Sequence, residues 1–83
     1  MTAEITLEIM SPEERIMSRK MYGVTLPGIA GSFQVLRNHA PLITALTAGD
    51  IRFMLEDSSV HSVTISGGFV EVIDNKVTAI VEI

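Results

Sequence analysis

The chain has 83 residues, 47% of them hydrophobic, and a formal net charge of −4 at pH 7. This length predicts one domain spanning residues 1–83, and six basic residues against ten acidic ones argue against a nucleic-acid partner, which needs clustered lysine and arginine. The lack of cysteine excludes disulfides and thiolate metal sites.

The start of the chain, residues 1–6, has no basic region followed by an apolar stretch and no arginine-rich character. It therefore predicts neither a signal peptide nor a transit peptide. No apolar run reaches the ~18 residues that a membrane-spanning helix needs. We expect a soluble chain that remains where it is synthesised.

Apolar and polar residues alternate with a period of two, which indicates strands rather than helices. The first strand is predicted over residues 5–9 and ends at the Pro12 turn. A short strand over residues 15–18 and a separate one over residues 21–26 lead to a tight turn, in which Gly28 and Gly31 can adopt positive φ.

The second half of the chain continues this pattern. The segment 40–46 is ambiguous, but Pro41 and the turn residues 47–50 favour a short strand over a helix. Further strands are predicted over residues 32–36, 51–55, 60–66, 69–73 and 77–83. The chain is thus predicted to be all-β, a small antiparallel β-sandwich or flattened barrel of eight to ten short strands, with Gly28, Gly67 and Gly68 shaping its turns.

Two late strands carry apolar residues on both faces. Phe69 and Ile73 alternate with valines, and Ile80 lies between Ala79 and Val81. An antiparallel sheet commonly keeps one face in water. Part of an outer face is therefore expected to be covered by another molecule.

The residues that could support catalysis are few and scattered. His61 has serines nearby in sequence, but no nucleophile-elbow pattern surrounds any of them, so a solvated strand face is the preferred interpretation. His39 is interpreted as a loop residue that makes polar contacts. The paired acids at 13–14 and 56–57 point to opposite sides of an extended chain. We expect no catalytic residue, metal site or cofactor.

One alternative is a biotinyl or lipoyl type of carrier domain, or another small-ligand-binding sandwich. Such carriers are β-sandwiches of similar length with a modifiable lysine at a hairpin tip. Lys76 lies at a predicted hairpin, and Lys20 precedes Met21. The residues that usually flank the carrier lysine are absent, and the mass of the native chain would reveal an attached group.

Several segments resemble, in order, the N-terminal domain of the ATP synthase epsilon chain. They are LEIMSPE at 7–13, LPGIAGSFQVL at 26–36, NHAPLITAL at 38–46, SGGFVEV at 66–72 and NKVT at 75–78. Together they cover almost the whole chain. The chain departs from the family pattern at Arg37 and Asn38, which replace Pro-Gly, at Gln34, which replaces glycine, and at Ser32, where some relatives carry an acid.

The resemblance implies a non-catalytic rotor subunit that couples proton translocation to ATP synthesis. Its implied partners are the gamma subunit and the polar loops of the c-ring. The residues implied to face gamma are Ser11, His39, Ala40, Pro41, Leu42, Ile43 and Thr44, and those implied to face the c-ring are Ile29, Ala30, Gly31 and Ser32.

The resemblance also implies a cellular location, and it bears on whether the chain inhibits ATP hydrolysis. The expected location is peripheral, on the cytoplasmic face of a bacterial inner membrane, with the plastid thylakoid as the alternative. Many relatives continue into an inhibitory C-terminal helical hairpin, and no such segment follows Ile83. Coupling without that inhibition is therefore expected.

Overall fold

A computed structural model describes residues 5–83, which form eight strands and no helix. The strands are β1 (Ile5–Met10), β2 (Arg15–Gly28), β3 (Gly31–Val35), β4 (Leu42–Leu46), β5 (Gly49–Leu55), β6 (Val60–Ile65), β7 (Gly67–Ile73) and β8 (Lys76–Glu82). The all-β prediction is confirmed. The prediction about a targeting segment depends largely on residues 1–4, which lie outside the described residues. Within 5–83 no helix could cross a membrane.

The second strand differs from its prediction. Residues 15–18 and 21–26 were expected to form two strands, but β2 is continuous over 14 residues. The polar residues Arg19 and Lys20 suggested a break, yet they pair with Leu7 and Thr6 of β1. The ladder is formed by backbone groups, so exposed polar side chains do not interrupt it.

Strand β2 joins the two layers of the sandwich. Its first half pairs with β1, and its second half pairs with β3 along one edge and with β5 along the other. The other strands of this layer are hydrogen-bonded side by side in the order β1-β8-β7-β4. Gly28, at the end of β2, pairs with Leu46 of β4. The strands β1, β8, β7, β4 and β2 therefore close into a flattened ring.

One pairing departs from the predicted antiparallel arrangement. Strands β1 and β8 run parallel, with Leu7 opposite Val77 and Ile9 opposite Ala79. A parallel pair normally needs a long crossover connection. Here the strands lie at opposite ends of the sequence, so the intervening fold makes that connection.

The core follows from the period-two pattern. In β1 the side chains of Ile5, Leu7 and Ile9 are completely buried, and the alternate residues are partly exposed. Strands β7 and β8 are apolar on both faces, and the side chains that they contribute to the core are Val70, Val72, Val77, Ala79 and Val81. No polar side chain of residues 5–83 is buried, so burial of apolar surface dominates the stability.

The predicted turn glycines lie at strand ends rather than within turns. Gly28 ends β2, while Gly67 and Gly68 begin β7. A Cβ atom on Gly28 would lie 2.7 Å from the carbonyl oxygen of Gly31 and 2.9 Å from the Phe33 ring. The hairpin can therefore close only without a side chain at position 28.

Two turns at one end of the sandwich are joined by asparagine side chains. Asn38 and Asn75 both have positive φ, at 64° and 62°, a conformation that asparagine tolerates better than most residues. The backbone amide of Asn38 donates to Oδ1 of Asn75 at 2.6 Å, and the side-chain Nδ2 of Asn75 donates to Oδ1 of Asn38 at 3.2 Å. The loop that carries His39 is thereby held against the turn between β7 and β8.

Candidate interaction surface

The outer surface of the layer formed by β1, β8, β7 and β4 is organised in rows that cross the strands. One row runs Met10, Ile80, Phe69, Ala45, and the next runs Glu8, Thr78, Glu71, Ile43. Residues opposite each other in a ladder share a face, so each row presents its side chains together. These residues alternate with the buried side chains of the same strands and therefore point away from the core.

Four large hydrophobic side chains are exposed on this surface, and we call them the apolar face. They are Ile43 (74% exposed), Phe69 (63%), Ile80 (47%) and Ile73 (46%). Ile43, Phe69 and Ile80 border a shallow hollow of about 260 Å³. Single exposed hydrophobic residues are ordinary, but a contiguous group is typical of an interaction site. The expected excess of outward apolar residues is confirmed.

The gamma-facing segment expected from the sequence is divided by the pleat of β4. Ile43 points outward, but Leu42 packs partly against the core and pairs with buried Val72. Thr44 is partly buried and pairs with Val70. Within β4, Ile43 is therefore the strongest candidate for contact with a partner.

Alanine substitutions at adjacent positions should separate these two roles. Leu42→Ala is expected to lower the free energy of unfolding by about 2 kcal/mol, since the side chain contributes to the core. Ile43→Ala should change it by less than about 1 kcal/mol, because only strand preference is altered. Urea unfolding measures both values, and equal losses would contradict the described orientation of β4.

The other gamma-facing candidates border the same surface. Pro41 lines a second shallow hollow of about 340 Å³ together with Ile43 and Ile73. Ala40 is exposed, and the half-buried His39 ring has Nδ1 2.7 Å from the Ala40 carbonyl oxygen. This local contact agrees with the interpretation of His39 as a loop residue.

Ser11 shapes the turn after β1. Its backbone amide donates to the Glu14 carbonyl at 2.8 Å, and its hydroxyl accepts from the Glu14 amide at 3.2 Å. The following residue, Pro12, borders a cleft of about 460 Å³ beside Phe69 and Ile80. Ser11 thus positions one margin of the apolar face.

The c-ring-facing candidates lie together on the hairpin between β2 and β3. Ile29 is 70% exposed, and Ala30, Gly31 and Ser32 are exposed as well. Gly31 has φ of 132°, and nothing approaches the position of a Cβ there. The Ile29 amide donates to the Ala45 carbonyl at 3.0 Å, which fixes this hairpin to β4.

The outer surface of the other layer is more polar, although Met54 and Val60 are exposed there and lie opposite each other in the β5–β6 ladder. Its shallow depression of about 200 Å³ is lined by Thr25, Pro27, Ser32, Asp50 and Arg52. The Thr64 hydroxyl donates to Asp50 Oδ1 at 2.7 Å. The two outer surfaces therefore differ in character.

The serine–histidine pair considered from the sequence is present at the β5–β6 turn, but its geometry does not suit catalysis. The Ser59 hydroxyl lies 2.9 Å from Nε2 of His61 and also donates to the Asp57 carboxylate. Because the Ser59 hydroxyl directs its proton toward the Asp57 carboxylate, it accepts a hydrogen bond from His61. The histidine is therefore not placed as the base for Ser59. The His61 ring also stacks on Phe53 at a centroid distance of 6.0 Å.

This cluster stabilises the turn. Hydrogen bonds from the Ser59 hydroxyl and amide, followed by the nearby His61, lower the pKa of the exposed Asp57 carboxyl below its ordinary value. A lowered folded-state pKa adds stability above the ordinary pKa, which is lost as the pH falls through the lowered value. Within residues 5–83 no group of three acid or histidine side chains could hold a metal ion.

The sequence singled out Phe69, Ile73 and Ile80 as surplus apolar residues but did not assign them to the gamma-facing or c-ring-facing candidates. Glu71, which lies opposite Ile43, was not singled out at all. The signal for the three apolar residues was the apolar character of both faces of β7 and β8. The sequence showed an excess of apolar residues on β7 and β8, but it did not show that Ile43 of β4 lies on the same surface.

The sequence is similar to those of known ATP synthase chains. The family described as the beta-sandwich domain of the ATP synthase delta/epsilon chain matches residues 4–83. The ATP synthase epsilon chain of Maridesulfovibrio salexigens is 39% identical over 83 residues, 100% of this chain and 58% of that protein. That of Chlorobaculum tepidum is 43% identical over 77 residues, 93% of this chain and 88% of that protein.

Solved structures show the same architecture. A chain in the cryo-EM structure of the Euglena gracilis mitochondrial ATP synthase, comprising OSCP, F1 and c-ring, matches with a TM-score of 0.89 and 25% identity, covering 98% of this chain and 52% of that one. A chain in the central stalk and c-ring of the Tetrahymena thermophila mitochondrial ATP synthase shares the fold, with a TM-score of 0.78, 16% identity, and coverage of 99% and 66%. The chain thus spans little more than half of some relatives.

Proposed function

The chain belongs to the family of ATP synthase delta/epsilon β-sandwich domains, and from this premise we propose that it is a non-catalytic rotor subunit of a rotary F-type ATP synthase. In this role it binds the gamma subunit and the c-ring and couples proton translocation to ATP synthesis. The carrier alternative gains no support, because the relatives described above are epsilon chains and not carriers.

The apolar face is the observation that supports this role most directly. It lies on the surface that includes Ile43, within the segment that resembles the epsilon-chain pattern NHAPLITAL. A lasting protein interface buries roughly 1,200 Å² or more, with a few central residues dominating. Ile43 and Phe69 are the exposed large side chains best placed to be those residues, and Pro41 and Pro12 lie at the margins.

The two proposed interfaces are mechanically connected through β4. This strand carries Ile43 of the apolar face, and its other end bonds to the hairpin that carries Ile29–Ser32. The Ile29 amide donates to Ala45, and the Thr47 amide donates to Pro27 at 2.8 Å. A force applied at the c-ring hairpin is therefore transmitted along backbone hydrogen bonds to the gamma-binding surface.

This role requires stiffness rather than a reactive site. The ring of strands is closed by the pairing of β1 with β2, and its core is packed with fully buried aliphatic side chains. Such interiors have low compressibility and transmit strain. The proposed location is peripheral, on the cytoplasmic face of a bacterial membrane, where the chain is held through the c-ring and gamma.

Capture by gamma tests the proposal. The chain and the gamma subunit from the same organism should form a complex of defined stoichiometry in size-exclusion chromatography and calorimetry. Adding the chain to membranes whose ATP synthase lacks epsilon should restore ATP-driven proton pumping. If gamma does not bind and pumping is not restored, the rotor assignment is wrong.

A further inference from the structure

Glu71 occupies the centre of the apolar face. It lies in β7 between Phe69 and Ile73 on the same side of the strand, with Ile43 opposite on β4 and Thr78 opposite on β8. It also borders both shallow hollows of this surface. A carboxylate is thus surrounded by the side chains most suited to being buried by a partner.

The charge of Glu71 is not compensated within the described chain. The other carboxylate of its row, Glu8, is 14% exposed and lies 3.8 Å from Arg15, whereas Glu71 forms no ion pair within residues 5–83. The nearest cation to Glu71 by register is Lys76, which lies opposite Ile73 and therefore diagonally across the ladder. Lys76 forms no ion pair with a carboxylate in the same range.

Burial would change the energetics of such a group. In the free chain Glu71 is exposed to water, but a partner that covers the apolar face removes that water. An unpaired buried charge is strongly destabilising, whereas a hydrogen-bonded charge pair is tolerated and confers specificity. A partner that fits this surface must therefore bring a donor to the position of Glu71.

We propose that Glu71 is a specificity-determining residue, which pairs with a basic side chain of the gamma subunit at the centre of the apolar face. This inference depends on the proposed function for the identity of the partner. It adds the chemistry of the matching surface, which is an apolar patch with one cationic group, and arginine suits such a site best. Partners with an apolar patch but no central cation would be rejected.

A different role for Glu71 leads to the opposite expectation. A charge within an exposed apolar patch also prevents unwanted association of the free chain. If Glu71 served that purpose alone, an apolar residue in its place would enlarge the patch and strengthen gamma binding. If Glu71 pairs with a cation, the same change leaves that cation buried and alone, and binding weakens.

The test measures gamma binding by calorimetry for four single variants and the unaltered chain. Glu71→Gln and Glu71→Met should each weaken binding at least about 30-fold. The control Glu56→Gln, at an exposed turn position after β5, should bind as the unaltered chain does. Lys76→Gln should also bind normally, since the pairing cation is assigned to the partner.

Salt dependence provides a second readout. The affinity of the unaltered chain should fall with added salt more steeply than that of Glu71→Gln, because that variant has lost one attractive charge contact. Circular dichroism should show all four variants folded, since each position is exposed.

The outcomes separate the two proposals. If the unaltered chain does not bind gamma, the rotor assignment fails. If it binds, but Glu71→Met binds equally or more tightly, the cation pairing is overturned and the rotor assignment stands. If Lys76→Gln weakens binding as much as Glu71→Gln does, the cation belongs to this chain, and the proposal is likewise overturned.

Discussion

Gly68→Ala is expected to lower the free energy of unfolding by about 4 kcal/mol, through backbone strain and overpacking together. Gly68 has φ of 149° and pairs with Leu46 on one side and with Val81 on the other. A Cβ atom there would overlap the carbonyl oxygen of Ile80 and lie 2.8 Å from Cα of Val81. These are backbone atoms of a central strand, so no side-chain rotation can relieve the clash.

The neighbouring glycine provides the control. A Cβ atom on Gly67 would have the Leu46 carbonyl oxygen 3.6 Å away as its nearest neighbour, and its φ is not in the left-handed region. Gly67→Ala should change stability by less than about 1 kcal/mol. In thermal unfolding, Gly68→Ala should lower Tm by roughly 15–30 °C for a domain of this size. Similar Tm values for the two variants would contradict the described packing of β7 on β8.

Ile43→Asp is expected to weaken gamma binding by about 2–4 kcal/mol, or roughly 30- to 1,000-fold, if the apolar face is the binding surface. The side chain is 74% exposed, so the fold should tolerate the substitution. In the complex, a carboxylate would replace an apolar contact and would lie opposite Glu71 in the ladder. Both desolvation and repulsion between like charges would then oppose association.

Val60→Asp is the matched control for this experiment. Val60 is also β-branched, lies in a strand and is 64% exposed, but it belongs to the β5–β6 hairpin. Calorimetry with gamma should show an unchanged affinity for Val60→Asp. Equal losses in the two variants would indicate a general effect of added charge, and a loss confined to Val60→Asp would move the interface to the other layer.

The local pattern of residue types was sufficient to predict most of the strands and turns. Alternation of apolar and polar residues predicted which side of β1 is buried, since a strand places successive side chains on opposite faces wherever it lies. In β7 and β8, which are apolar on both faces, the pattern predicted the strands but not their buried side. The turn at 74–75 was also predictable, because Asp74 and Asn75 tolerate the positive φ that they adopt, at 49° and 62°. These features depend on a few consecutive residues.

The arrangement of strands was not accessible in the same way. Nothing in residues 15–28 indicates that one strand crosses both layers, because the β2 ladder is supplied by backbone groups of distant partners. The parallel pairing of β1 with β8 likewise depends on where the intervening chain places its last strand. The polar residues Arg19 and Lys20 were therefore mistaken for a break.

The candidate surface, too, was only partly predictable from the sequence. The sequence by itself determined that β7 and β8 carry more apolar residues than one buried face requires. The resemblance to the epsilon-chain family identified Ile43 in β4 as a candidate. Only the tertiary structure decided that Phe69, Ile80 and Ile43 form one face with Glu71 at its centre. The physical reason is that a period of two specifies the side of a strand on which a residue lies, whereas its neighbours on that side are set by ladder register between segments far apart in sequence.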